Sequence, residues 1–138
     1  HLRGCTGHFP RTEPLHKLVR QMASASATRD SRFSANPITA KELDELDIEI
    51  SVLSPLEKTD DPLSLRIGID GIYIVKAGRT GCFLPQVATE TGWTTEEFLS
   101  NCCGHKVGLE PDAWKESDTE VYLFTAEVFG ERFAKTPG

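Results

Sequence analysis

The first helix is predicted by apolar residues that recur every three or four positions, the spacing of one buried helix face. It covers LHKLVRQMASASATRD and has Pro14 at its first turn, where proline is well tolerated. The residues of its apolar face are Leu15, Leu18, Val19, Met22, Ala23 and Ala27. A second, short helix is predicted over AKELDEL, because Thr39 and Glu42 have the spacing of a capping box.

Strands are predicted where apolar and polar residues alternate. IEISVLSP alternates strictly and indicates a half-buried strand that ends before Pro55. LRIGIDGIYIVKAG predicts two short strands joined at Asp70-Gly71, a strong hairpin signal. TEVYLFTAEVFGERF predicts a strand with apolar residues on both faces, and the polar segment LEKTDDPLS is predicted to be a loop.

Two further helices are predicted before the last strand. Pro85 begins the first, which runs through QVATET, and Gly92 ends it. Thr94 or Thr95 begins the second, over TEEFLSNCCGHK. The core face of this helix comprises Phe98, Leu99 and Cys102. The order of elements, with hairpin-type connections between strands, predicts an α+β fold in which a mostly antiparallel sheet is flanked by helices.

Composition limits the class of protein. The length of 138 residues predicts one domain, or one domain with a small lobe. Hydrophobic residues make up 38% and charged residues 26%, an ordinary balance for a globular protein in water. The apolar runs are too short to cross a membrane and no signal peptide is visible, so no membrane association is expected. The net charge of −6 disfavours a nucleic-acid partner, because such binders concentrate Lys and Arg on one face.

All four cysteines are predicted to be reduced, in a cytoplasmic protein. They are Cys5, Cys82, Cys102 and Cys103. A chain of this size buries enough apolar surface to fold without disulfides. The adjacent pair Cys102-Cys103 would also close a strained ring if it were oxidised.

Several stretches of the chain together resemble one family, the AMME chromosomal-region candidate (AMMECR) domain. They occur in the order of the family's motifs and cover nearly the whole chain, so a single AMMECR domain is predicted over residues 1–138. The stretches are LRGCTGH, ASATRDSRF, ELDELDIEISVLSP, IGIDGIYI, LPQVATETGWTTEEFL and GLEPDAW. The family motif has an apolar β-branched residue where this chain has Thr6, a near-isosteric change.

The resemblance implies more than the residues alone indicate. It implies a larger and a smaller lobe, with a cleft between them near the segment from Arg3 to Gly7. It implies that the chain lacks the family's N-terminal segment, which leads into the Arg-Gly-Cys strand. Prokaryotic genes of the family lie beside, or are fused to, a gene for a Memo-like protein, and lie near one for a radical S-adenosylmethionine (SAM) enzyme. The resemblance therefore implies these two proteins as partners in one pathway.

The opening motif RGCTGH is the strongest candidate site. In an extended strand Arg3 and Cys5 point the same way, so the guanidinium would favour a reactive thiolate. Gly4 and Gly7 would let a substrate or another backbone approach closely. A base is also required: His8 is near in sequence, and His16 and His105 are alternatives if the fold brings them near, so Cys5 and His8 are the first catalytic candidates. The alternative is that Cys5 is a small buried hydrophobe and that the glycines shape a bulge.

Two residues elsewhere in the chain are further candidate ligand contacts. Arg32 either forms a salt bridge with Asp30 that fixes a loop, the role slightly favoured, or joins Arg3 in holding an anionic ligand. Gln86 is predicted to line the cleft. The predicted ligand-binding set is therefore Arg3, Gly4, Gly7, Arg32 and Gln86.

A metal site is a less favoured alternative for the same cysteine. It would combine Cys5 and His8 with Cys102, Cys103 and His105, because sulfur and imidazole ligands suit zinc. The spacing is not that of a standard zinc motif. No metal or cofactor is therefore predicted.

Three functions are compatible with the sequence. The first is a small-molecule or cofactor-binding domain centred on the opening motif, and the sequence leaves open whether it is an enzyme. The second is an interaction module for a Memo-like partner, in which the motif has an architectural role. The third is a nucleic-acid-binding regulator, which the net acidity disfavours.

Overall fold

The structure, a computed structural model, describes residues 2–7, 9 and 13–130 and has an α+β fold, as predicted. The α-helices are α1 (Leu15–Thr28), α2 (Pro85–Thr91) and α3 (Thr95–Asn101). The strands are β1 (Glu49–Leu53), β2 (Glu57–Thr59), β3 (Gly71–Lys76), β4 (Arg79–Phe83), β5 (Glu120–Phe124) and β6 (Ala126–Gly130). Single 3₁₀ turns lie at Ser31–Phe33, Ala40–Glu45, Pro62–Ser64 and Ala113–Lys115, and a π-helical turn, Cys102–Val107, continues α3.

The chain divides into two compact units. The first comprises residues 1–50 and 128–138, and the second comprises residues 51–127. β1 and β6 pair in a two-stranded sheet, and each crosses a boundary between the two units. The predicted strand over IEISVLSP is confirmed as β1.

The first unit contains α1 and two of the 3₁₀ turns. The predicted first helix is confirmed, but none of the described residues in α1 is fully buried. Leu18, Val19 and Met22 are half-buried, whereas Leu15 is exposed. The predicted helix over AKELDEL is a 3₁₀ turn, and the amide of Thr39 donates to Glu42 Oε2 across 3.4 Å, as a capping box requires.

The second unit is built on a four-stranded antiparallel sheet with the strand order β2-β5-β3-β4. The helices α2 and α3 lie at the positions predicted, and α2 ends at Gly92. Thr94 caps α3 by accepting a hydrogen bond from the amide of Glu97 across 3.2 Å. The sheet and these helices enclose the hydrophobic core.

Aromatic rings and the predicted helix face fill this core. Phe98, Leu99 and Cys102 are fully buried, which confirms the core face of α3. The ring of Phe98 stacks on that of Phe83 with centroids 5.5 Å apart. Trp114 is buried, and its indole N–H donates to Ser100 Oγ across 3.1 Å, so its polar atom has a partner inside the core.

The prediction of a hairpin turn at Asp70-Gly71 is wrong. β3 begins at Gly71, and the hairpin lies at Ala77-Gly78, where β3 turns into β4. Both turn residues have positive φ, 52° and 78°, as a two-residue type I′ turn requires. Asp70 instead accepts hydrogen bonds from the backbone and the side chain of Arg66. Its carboxylate therefore fixes the loop that leads into β3.

Two other strand predictions are corrected by the sheet. The segment LEKTDDPLS is predicted to be a loop, but Glu57–Thr59 forms β2 at the edge of the sheet, where it pairs with β5. The last predicted strand is divided at Thr125 into β5 and β6, which belong to different sheets. Polar edge strands carry little hydrophobic pattern, which explains why the sequence does not reveal β2.

Candidate functional site

The opening segment runs against α1, and Gly4 makes that approach possible. A Cβ at position 4 would overlap the carbonyl oxygen and carbon of Ser26 in the helix. Gly4 was predicted to let a substrate or another backbone approach closely. At this position the backbone of α1 makes the close approach. Gly7 differs, because a Cβ there would meet no atom of the described residues within 4 Å, its chain neighbours apart.

Asp30 and Arg32 hold the backbone of Cys5 from both sides. The amide of Cys5 donates to Asp30 Oδ2 across 3.0 Å, and Arg32 Nη2 donates to the carbonyl oxygen of Cys5 across 2.8 Å. The two holding side chains also bind each other, with Arg32 Nε 2.9 Å from Asp30 Oδ1 and Arg32 Nη2 2.6 Å from Asp30 Oδ2. The salt bridge predicted between Asp30 and Arg32 is thus confirmed, and it also fixes Cys5.

The electrostatics of this cluster are asymmetric. The hydrogen bond from the Arg32 guanidinium, together with that from the Cys5 amide, holds the pKa of Asp30 well below its usual range. The Asp30 carboxylate, and to a smaller extent Cys5, raises the pKa of Arg32. The side chain of Asp30 is 6% exposed and that of Arg32 is 57% exposed. The cluster therefore shields its carboxylate and presents its guanidinium to solvent.

Arg3 has a different set of partners from the one predicted. Its guanidinium lies 3.0 Å from Glu42 Oε2 and donates to the carbonyl oxygens of Asn36, at 3.1 Å, and Pro37, at 3.4 Å. These contacts tie the opening segment to the 3₁₀ turn at Ala40–Glu45. Among the described residues, the guanidinium that contacts Cys5 is that of Arg32.

Cys5 itself is exposed to solvent. None of the four cysteines forms a disulfide in the structure. His8, the candidate base, lies outside the described residues. Cys5 is therefore an exposed residue on a fixed backbone, and the Arg32 guanidinium binds that backbone at its carbonyl oxygen.

Gln86 belongs to the second unit, whereas the other predicted ligand contacts belong to the first. It is the second residue of α2 and is half-buried. Its carbonyl oxygen accepts a hydrogen bond from Thr89 Oγ1 across 2.9 Å. Its grouping with Arg3 and Arg32 stays a prediction.

The cysteines proposed for a metal site have a structural role in the second unit. Cys102 and Cys103 are completely buried in the core, and burial raises the pKa of both thiols. His105 is exposed in the π-helical turn. Within residues 2–7, 9 and 13–130, no group of three His, Cys, Asp or Glu side chains is placed to hold a metal ion.

Sequence reasoning missed the contact between Asp30 and the Cys5 amide. The two residues are separated by 25 positions, so no local pattern brings them together. The available signal was the pairing of Asp30 with Arg32 within one short turn, where Asp30 also accepts from the Arg32 amide across 3.2 Å. That signal placed an ion pair near Phe33 but did not identify Cys5 as its neighbour.

The helices of the described part of the chain lack the length and apolar character that crossing a membrane requires. This finding agrees with the short apolar runs of the sequence.

Comparison with known proteins assigns this arrangement to a family. The AMMECR1 family model matches residues 1–129, so the chain belongs to the AMMECR1 family. A protein from Methanothermobacter thermautotrophicus is 43% identical over an alignment of 136 positions that covers 94% of this chain and 69% of that protein. A protein from Thermococcus gammatolerans is 42% identical over an alignment of 141 positions that covers 99% of this chain and 67% of that protein.

A solved structure in the same family has the same fold. The crystal structure of the uncharacterized protein PH0010 from Pyrococcus horikoshii matches with a TM-score of 0.88 at 41% sequence identity. The match covers 98% of this chain and 68% of that one. The chain therefore spans about two thirds of the length of these relatives.

Proposed function

We propose that the opening segment is a small-molecule binding site in which Cys5 is the reactive group. The observation that carries this proposal is the fixed backbone of Cys5, held at its amide by Asp30 and at its carbonyl by Arg32 while the residue stays exposed. A residue that served only packing would be buried, as Cys102 is.

Each candidate residue has a distinct role in the proposed site. Arg32 presents positive charge that stabilises negative charge developing on sulfur or on a bound anion. Arg3 and Gly4 position the segment through their contacts with the 3₁₀ turn and α1. Gly7 leaves space for a ligand, and His8 is the proposed base. Gln86 is a further proposed ligand contact.

The pathway is also proposed from the family resemblance. Cooperation with a Memo-like protein and a radical SAM enzyme in the cytoplasm would place the thiol in a reducing environment, where it stays available for reaction. The substrates expected at this site are small anionic or electrophilic molecules, which suit the Arg32 guanidinium and the Cys5 thiol.

Alkylation kinetics test the proposal. The rate of Cys5 modification by iodoacetamide, followed by peptide mass spectrometry at neutral pH, should fall about two- to fivefold in Arg32→Gln, since an exposed charge pair contributes modestly. Arg29→Gln is the matched control, because Arg29 is also exposed and lies just before the same turn. Equal rates in the wild type and both variants would contradict a role for Arg32 at the thiol.

An interaction module is the second candidate, and one observation favours it. None of the described residues of the first unit is buried, and several of its large apolar side chains are exposed. They are Leu2, Leu15, Leu43, Ile48, Val128 and Phe129. Apolar side chains that stay exposed in this way offer surface on which another protein can pack.

A binding measurement with a Memo-like protein tests this second candidate. Leu43→Ser, at a side chain 61% exposed, should weaken binding about tenfold or more if that surface is the interface. Leu63→Ser is the matched control, because Leu63 is 48% exposed but belongs to the second unit. Equal affinities of the two variants would exclude this surface as the interface.

A further inference from the structure

A cavity of about 360 Å³ lies within the second unit, apart from the Cys5 segment in the chain. Residues that line it include Glu57, Arg66, Asp70, Leu123, Phe124 and Thr125. A volume of this size is within the range of pockets that hold small molecules. Its lining combines three charged side chains, those of Glu57, Asp70 and Arg66, with apolar surface, so its chemistry restricts the ligand.

The guanidinium in this cavity is held in place by a buried carboxylate. Asp70 is 5% exposed, and its oxygens accept from Arg66 Nε across 3.1 Å and from Arg66 Nη2 across 2.9 Å. Asp70 Oδ2 also accepts from the backbone amide of Arg66 across 2.8 Å. The hydrogen bonds from Arg66 hold the pKa of Asp70 below its usual value, so the carboxylate stays ionised.

Arg66 keeps binding capacity after this pairing. A guanidinium has five N–H donors, and Asp70 occupies one edge of the group. The side chain of Arg66 is 61% exposed, so its remaining donors face the cavity or solvent. A guanidinium positioned in this way binds a carboxylate with little loss of side-chain entropy.

Glu57 supplies the opposite charge. It is an exposed residue of β2 that lines the same cavity. Within the part of the chain that the structure describes, Glu57 forms no ion pair, and Arg66 pairs with Asp70 rather than with Glu57. Among the described residues that line the cavity, the Arg66–Asp70 pair is thus neutral overall, and Glu57 leaves one negative charge without an ion-pair partner.

We propose that this cavity binds a small zwitterion, an α-amino acid with an aliphatic side chain. Its carboxylate bonds to the outer edge of Arg66, and its ammonium group bonds to the carboxylate of Glu57. The aliphatic side chain lies against Leu123, the half-buried apolar residue of the lining that pairs with Glu57 across the sheet. The proposal is independent of any reaction at Cys5.

Calorimetric titration of the full chain with leucine tests the proposal. Saturable binding is expected, and two analogues separate the charges: 4-methylpentanoate lacks the amine and 3-methylbutylamine lacks the carboxylate. Each analogue should bind at least about tenfold more weakly than leucine, because each loses one charged hydrogen-bond partner. Leucine that fails to bind, or 4-methylpentanoate that binds as well as leucine, would overturn the proposal.

A pair of variants assigns the ammonium contact. Glu57→Gln should weaken leucine binding about tenfold or more, whereas Glu110→Gln should leave it unchanged. Glu110 is the matched control, since it is exposed in the same unit and does not line the cavity. Equal weakening by both variants, or none by Glu57→Gln, would overturn the assignment. The analogue series needs no variant and stands if Glu57→Gln disturbs the fold.

Discussion

At the scale of single residues, the two glycines of the opening segment have different surroundings. The Cα of Gly4 faces the carbonyl of Ser26, whereas a Cβ at Gly7 would contact none of the described residues beyond its chain neighbours. Gly4→Ala should therefore lower the free energy of unfolding by about 1–3 kcal/mol, the cost of overpacking against a helix backbone. Gly7→Ala should have no comparable effect.

Urea unfolding of the two variants measures this difference. The comparison is matched, because both changes add one methyl group to a glycine of the same segment. Equal losses of stability would contradict the packing of the opening segment against α1. The result bears on function as well, since that packing is what brings Cys5 to Asp30.

The candidate site was only partly predictable at this scale. The sequence identified Cys5 and the pairing of Asp30 with Arg32, because both follow from residue type and short spacing. It assigned the activating charge to Arg3, since alternation along a strand places Arg3 and Cys5 on one face. In the structure Arg3 forms a salt bridge with Glu42, and Arg32 donates a hydrogen bond to the carbonyl oxygen of Cys5. These partners lie far from Arg3 and Cys5 in the sequence, so no local pattern predicts which arginine contacts Cys5.

At the scale of elements, the β3–β4 hairpin contains one residue in an unfavourable conformation. Ala77 has φ of 52°, in the left-handed region, where its Cβ crowds the backbone. Ala77→Gly should therefore raise the free energy of unfolding by about 1 kcal/mol, because glycine has no Cβ and Gly-Gly suits a type I′ turn. Ala77→Val should lower it.

Thermal unfolding followed by circular dichroism checks the order of these variants. The expected order of midpoint temperatures is Ala77→Gly above the wild type and the wild type above Ala77→Val. A turn that tolerated all three residues equally would contradict the assigned backbone geometry.

The sequence predicted helices correctly where residues close to each end of the helix mark its start and stop. Pro85, Gly92 and Thr94 act within one turn of chain, and the helices they bound are confirmed. The hairpin was misplaced because Asp70-Gly71 is a stronger turn signal than Ala77-Gly78. Asp70 instead accepts a hydrogen bond from the Arg66 guanidinium. This bond forms only in the folded loop, so the turn signal alone does not reveal it.

At the scale of the whole molecule, stability should depend on pH at both ends of the range. The pKa values of Asp30 and Asp70 are lowered in the fold by their arginine partners, so their contribution is present above the unfolded value of 3.8 and is lost as pH falls below it. Burial raises the pKa of Cys102 and Cys103, so their contribution is present below the unfolded value of 9.0 and is lost as pH rises.

Unfolding free energies measured in urea across the pH range test this account. A plateau is expected around neutrality, with a decline below about pH 4 and another above about pH 9. Asp70→Asn should reduce the acid slope, and Cys102→Ala should reduce the alkaline slope, even though each variant is less stable overall. Slopes that neither substitution changes would show that other groups control the pH dependence.

The most direct test of the Cys5 site compares the folded chain with its own opening peptide. The nonapeptide HLRGCTGHF contains Arg3, Cys5 and His8 but lacks Asp30 and Arg32. If the fold exposes the thiol beside the Arg32 guanidinium, iodoacetamide at neutral pH modifies Cys5 at least about twofold faster in the folded chain than in the peptide. An equal or slower rate in the folded chain would contradict the site.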